Sequence, residues 1–140
     1  MTQEDKELLL KDLCARLPYG VKVKTRLKIH TLKGLFYTEY GGVMGCLLNK
    51  SVPNWVSPKT VNYPLEQIKP YLFPLSSMTE EQKKELADVL IEMQLKAISD
   101  VINGEDVAAY EIDFYNKHHI DYRGLIPKGL AIDATGKNIY

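Results

Sequence analysis

The sequence predicts an α+β protein: an N-terminal helix, a small antiparallel sheet of three or four strands with an SH3-like or half-barrel curl, then a C-terminal helical pair with a packed tail. Three observations carry this expectation. Residues 21–30 alternate without a break, with Val21, Val23, Thr25, Leu27 and Ile29 on one parity and Lys22, Lys24, Arg26, Lys28 and His30 on the other. Successive side chains of a strand point to opposite faces, so this run reads as a half-buried strand with one basic face. Thr79 followed by Gln82 has the spacing of a capping box, and a long apolar stripe begins just after it. The linkers between the candidate strands are too short for parallel crossovers, which need roughly a dozen residues or more.

Taken in order, residues 2–16 read as a short amphipathic helix. Thr2 is its N-cap, Glu4 and Asp5 complement the dipole of the first turn, and Pro18 stops it. Leu9, Leu13 and Arg16, with Leu10 and Leu17, follow the helical rhythm. After the basic strand, Lys33-Gly34 is a turn candidate, residues 35–40 are aromatic and apolar, Gly41-Gly42 is another turn, and residues 43–48 form a third strand. Residues 49–60 read as a loop punctuated by Pro53 and Pro58, residues 61–63 as a short closing strand, and residues 65–71 as a turn of helix bounded by Pro64 and Pro70.

The long helix is expected over about 79–103. Leu86, Val89, Leu90, Met93, Ala97, Val101 and Ile102 form its inner stripe, and Asn103-Gly104 ends it. A second helix runs over about 105–118 with Val107, Tyr110, Phe114 and Tyr115 mainly inward. Beyond it, Leu125, Ile126, Leu130, Ala131 and Ile132 are too apolar for a disordered end, so the tail is expected to fold back onto the core.

A chain of 140 residues fits one domain spanning 1–140, β-rich over about 19–63 and helical over about 79–132. A hydrophobic fraction of 45% and a charged fraction of 26% are those of an ordinary soluble protein. No apolar run approaches the roughly 18 residues of a membrane span, and the acidic start does not read as a signal peptide, so no membrane association is expected. Cys14 and Cys46 are too few for a disulfide scaffold and lack metal-site spacing, which favours a reducing, cytoplasmic compartment. Net charge is zero but uneven: Lys22, Lys24, Arg26, Lys28 and Lys33 fall in an acid-free stretch, whereas acids dominate residues 79–113.

Three stretches have a specific wording: Leu13-Cys-Ala-Arg-Leu-Pro-Tyr-Gly20, Pro70-Tyr-Leu-Phe-Pro-Leu-Ser-Ser-Met-Thr79, and His118-His-Ile-Asp-Tyr-Arg-Gly-Leu-Ile-Pro-Lys-Gly-Leu-Ala131. Together they resemble small uncharacterised proteins of gut Bacteroidetes-type bacteria and their phages or mobile elements. The resemblance implies a bacterial or phage cytoplasmic origin and carries over no functional residue.

Three candidate sites remain. The basic row of Lys22, Lys24, Arg26, Lys28 and Lys33 has the spacing to track a phosphate backbone, with Phe36, Tyr37, Tyr40 and Trp55 as stacking platforms. The plain alternatives are a solvated face, or an edge strand kept from aggregating by its lysines. His118-His119 cannot ligate one metal from a regular helix, since adjacent residues diverge by about 100°. A positively charged histidine at the helix C-terminus is the simpler reading. In Asp121-Tyr-Arg123, Arg123 is a candidate anion ligand, but a structural Asp121–Arg123 pair that fixes the chain's turn is the favoured reading, with Asp121 also a candidate N-cap. No nucleophile elbow, P-loop, dinucleotide or zinc-protease pattern is present.

The functional expectation is therefore a non-enzymatic accessory or interaction protein, phage- or mobile-element-related, with no metal and no cofactor. Its partner is another protein, met through aromatics such as Tyr37 and Trp55. Nucleic-acid binding through the basic row is the alternative.

Overall fold

Helix α1 (Gln3–Arg16) begins as its sequence predicts: the Thr2 hydroxyl accepts the Asp5 N–H at 3.1 Å, with Glu4 and Asp5 in the first turn. A 3-10 turn, Leu17–Tyr19, carries Pro18, and Gly20 closes it with φ of 66° in the left-handed region that glycine tolerates. The computed structural model describes residues 1–26, 28–48, 60–99 and 104–140.

The sheet comprises β1 (Lys22–Lys24), β2 (Ile29–Tyr37), β3 (Val43–Leu48), β4 (Thr60–Pro64), β5 (Lys69–Pro74), β6 (Ile120–Asp121) and β7 (Ile132–Asp133). Their spatial order is β4-β3-β2-β1-β5-β6, with β7 also on β5. Neighbours from β4 through β1 are antiparallel, as expected; β5 adds a further antiparallel neighbour to β1, and β6 and β7 join β5 in parallel.

The alternating run at 21–30 is a hairpin rather than one strand. Lys24 pairs with Ile29, and Thr25 turns the chain by donating its N–H to the Lys28 carbonyl at 3.0 Å. The reversal inverts the expected parity of its second half. His30 is buried at 7% exposure and Ile29 faces out at 50%. The imidazole Nδ1 lies 3.2 Å from the Leu48 carbonyl oxygen, so His30 finds a polar partner inside.

Lys33-Gly34 is not a turn but a β-bulge within β2. Leu32 pairs with Leu47 and Gly34 with Cys46, which leaves Lys33 as the extra residue. The bulge is what lets Leu32 and Leu35, three positions apart, both face the core, because an unbroken strand puts odd spacings on opposite faces.

The expected helical turn at 65–71 is confined to a 3-10 turn, Leu65–Gln67, and β5 follows at once. That link shapes the sheet. Pairing sets Pro64 level with Phe36 and Lys69 level with Ile29, so a flat sheet would hold Pro64 and Lys69 roughly 30 Å apart. Five residues of chain reach at most about 18 Å. The sheet therefore curls, and Ile68 on the link lies inside the curl against Gly45.

Leu9 and Leu13 of α1 pack with Val21, Val23, Leu32, Leu47, Ile68, Leu72 and the tail residue Leu125 in one apolar cluster. A second cluster gathers Leu86, Phe114 and Ile120. Helix α2 (Glu80–Ile98) opens with the full capping box: the Thr79 hydroxyl accepts the Gln82 N–H, and the Gln82 side chain accepts the Thr79 N–H, each at 3.1 Å. Leu86 is buried and Val89, Leu90, Met93 and Ala97 are half-buried beside α3 (Gly104–Lys117), while Val101, Ile102 and Asn103 lie outside the described residues. No helix among the described residues is long and apolar enough to cross a membrane.

The tail folds back as expected. Tyr140 donates its hydroxyl to the Tyr71 carbonyl at 2.7 Å and accepts the Lys22 N–H at 2.9 Å. Burial pushes its phenol up to about 12. The ring stacks on His119 at 3.8 Å between centroids and 11° between planes.

Candidate functional site

Directly opposed residues of antiparallel strands share a face, so the Lys22–Thr31 and Lys24–Ile29 pairings put Lys22 and Lys24 on the outer side of the sheet. Arg26 and Lys28 are exposed at the reversal, and Lys33 is exposed at the bulge. Register adds a cation that sequence spacing did not reveal, because Lys69 of β5 stands directly opposite Lys24. Their Cβ atoms lie about 5 Å apart, and like charges so placed destabilise a sheet by about 0.2–1 kcal/mol.

Lys24, Arg26 and Lys69 line an open hollow of about 560 Å³, together with Thr25, Glu66, Gln67 and Ile132. Glu66, the acid among them, is already engaged by Lys6 at 2.9 Å, and that contact holds its carboxyl below the usual range. Among the described residues, Lys24, Arg26 and Lys69 make no ion pair. The edge-protection reading of the lysines is overturned, since β1 lies between β2 and β5 inside the sheet.

The aromatics are not brought to this row. Tyr37 stands at the far end of β2, about 26 Å along the strand from the Lys24–Ile29 level. It lines a separate hollow of about 240 Å³ with Gln3, Lys6 and Leu10 of α1. Phe36 and Tyr40 are exposed near that same end, and Trp55 lies outside the described residues.

Helix α2 carries a second apolar row that the sequence analysis did not single out. At about 100° per residue, Ala87, Ile91, Leu95 and Ile98 fall opposite Leu86, Val89 and Met93. Ile91, Leu95 and Ile98 are 58%, 63% and 80% exposed. Glu81, Glu85, Asp88 and Glu92, at i, i+4, i+7 and i+11, form an acidic row along one side of it. Glu92 pairs with Lys96 at 3.3 Å, whereas Glu81, Glu85 and Asp88 make no ion pair among the described residues. At the C-terminal end of the row an apolar hollow of about 410 Å³ opens between Gln94, Ala97 and Ile98 of α2 and Gly104 and Val107 of α3.

The other two candidates take structural parts. His119 is buried, with φ of 57°, and donates its N–H to the Asn116 carbonyl as the residue that ends α3. Burial, then the charges of Arg16, His118 and Lys22, lowers it to about 4. It thus terminates the helix by backbone geometry, and the expected positive cap is not its role near neutral pH. Among the described residues no group of three or more His, Cys, Asp or Glu side chains could hold a metal ion. The Asp121 carboxylate accepts the N–H groups of Leu125 and Ile126 at 2.9 and 2.8 Å and so fixes the turn by itself, without the expected pairing to Arg123. Arg123 turns instead toward Asp12, with Nε 3.3 Å from its carboxylate, and toward the Tyr122 hydroxyl.

Comparison of the chain with protein-family models, curated proteins and solved structures found no match.

Proposed function

We propose that this chain is a protein-binding accessory module whose contact face is the outer side of α2. The observation that carries the reading is the row of Ile91, Leu95 and Ile98, more than half exposed at helical spacing on a helix that already buries its opposite face. Apolar residues at i, i+4 and i+7 are the pattern by which helices dock on one another. The hollow beside Ile98 offers a socket for a partner's apolar anchor.

The occupant is an amphipathic helix of another protein with a row of Lys or Arg beside its apolar ridge. The unpaired Glu81, Glu85 and Asp88 favour that charge. A second copy of this chain is disfavoured, because antiparallel pairing about a two-fold axis sets the two acidic rows side by side. The curl of the sheet supports the SH3-like or half-barrel reading of the β-rich part. The free thiols of Cys14 and Cys46 support a reducing cytoplasm, in a bacterium or its phage.

Parallel capture from the native host with the wild-type chain, Leu95→Asp and Glu81→Lys/Asp88→Lys tests the proposal, circular dichroism verifying each fold. Exposed positions such as these tolerate substitution, so all three should remain folded. A protein held by the wild type and lost from both variants is expected. The same proteins recovered from all three would overturn the reading.

A further inference from the structure

On the opposite half of the molecule, the geometry points to a second binding site: the hollow around Lys24, Arg26 and Lys69 takes the phosphate group of a small phosphorylated compound. Lys24 and Lys69 from neighbouring strands and Arg26 from the hairpin reversal line the same hollow. Ammonium serves as a point charge and guanidinium as a planar fork, a pairing suited to phosphate oxygens. Gln67 adds an amide at the rim, and Ile132 gives an apolar wall for the rest of the compound.

Edge protection, internal pairing and folding stability do not account for these lysines. Edge protection does not apply to an interior strand. Among the described residues none of the three makes an ion pair, and Glu66 is taken by Lys6. Folding alone gains nothing from facing Lys24 with Lys69, because that arrangement is repulsive until an anion sits between them. A volume of about 560 Å³ lies in the range of small-molecule sites. A nucleic-acid track is less well served, because Tyr37 and Tyr40 gather at the far end of the sheet and no aromatic among the described residues lines this hollow.

The test is titration at low ionic strength with sodium pyrophosphate, ATP and a single-stranded oligothymidylate, followed by calorimetry and by thermal melting. Saturable binding of pyrophosphate or ATP is expected, stronger for ATP if Ile132 contributes. Lys24→Gln and Lys69→Gln should each weaken it about tenfold, the loss of one charge-assisted contact. Lys128→Gln, on the tail, and Leu95→Asp, on α2, should leave it unchanged.

Lys69→Thr supplies a readout that a merely structural lysine would not give. It should raise the melting temperature of the free protein by relieving the repulsion, yet shrink the rise produced by pyrophosphate. Three results would overturn the inference. One is no saturable binding at millimolar pyrophosphate and ATP. Another is equal weakening by Lys128→Gln, which marks diffuse charge only. The third is preferential binding of the oligonucleotide with equal losses from Lys22→Gln and Lys33→Gln, which marks a strand track instead of a pocket.

Discussion

Arg16 grips Asp12 from one helical turn away, its Nε 2.8 Å from Oδ2 and its Nη2 3.1 Å from Oδ1, and neither side chain reaches solvent. The same guanidinium donates to the Ile120 carbonyl at 2.7 Å, tying α1 to the chain just after α3. Burying two charges is offset only when every partner is in place. Arg16→Met leaves Asp12 only the longer 3.3 Å contact with Arg123, and is therefore expected to destabilise the protein by up to about 3–5 kcal/mol in urea unfolding. Asp12→Leu together with Arg16→Met removes both charges and should recover much of that loss. A double variant as unstable as the single one would contradict this account.

His119 makes stability fall on the acid side of neutrality. Its folded value of about 4 lies below the ordinary 6.5. Between those values the unfolded chain binds a proton that the folded one does not, so stability drops as pH falls from about 6.5 and the loss is complete near 4. The full swing is about 3 kcal/mol at most. His119→Asn keeps a residue that tolerates the left-handed backbone and removes the titration, so its stability should be flatter across this window. Melting temperatures at intervals between pH 4 and 7 would show it.

Gly45 is required by Ile68. A Cβ at position 45 would lie 2.4 Å from Ile68 Cδ1, and Ile68 is wholly buried, so its methyl has no free space to retreat into. Gly45→Ala should destabilise by about 1–3 kcal/mol. Ile68→Val removes the clashing methyl, and in the double variant the two losses should be less than additive.

What the sequence disclosed was its local chemistry. The caps at Thr2 and Thr79 depend on residues three apart and formed as read, whereas the Asp121 turn formed through backbone N–H groups without the Arg123 partner expected for it. The hairpin at 25–28 was hidden because it lacks glycine, proline and asparagine, so the alternation continued through it with its parity reversed. Strand β5 was hidden by Pro70 and Pro74. Pro70 is tolerated there because β7 takes up the other side of β5 only from Tyr71. The Lys24–Lys69 juxtaposition depends on register between distant segments, which no local pattern carries. The outer row of α2 was legible in principle: Ile91, Leu95 and Ile98 repeat at helical spacing, about half a turn from the stripe that was recognised.

The Asp121 cap gives a modest, specific prediction. Asp121→Ala leaves the N–H groups of Leu125 and Ile126 without an acceptor, and should cost about 1–2 kcal/mol in chemical unfolding. Asp121→Asn keeps one acceptor oxygen and should lose less.

Site-specific photo-crosslinking in the native host addresses the contact face of α2 most directly. A photo-reactive phenylalanine analogue is placed at Leu95, on the exposed row, and separately at Tyr40, which is 90% exposed in the turn after β2. The account predicts a discrete crosslinked protein from position 95 and none of that mass from position 40. Crosslinking from position 40 alone, or the same products from both positions, would contradict it.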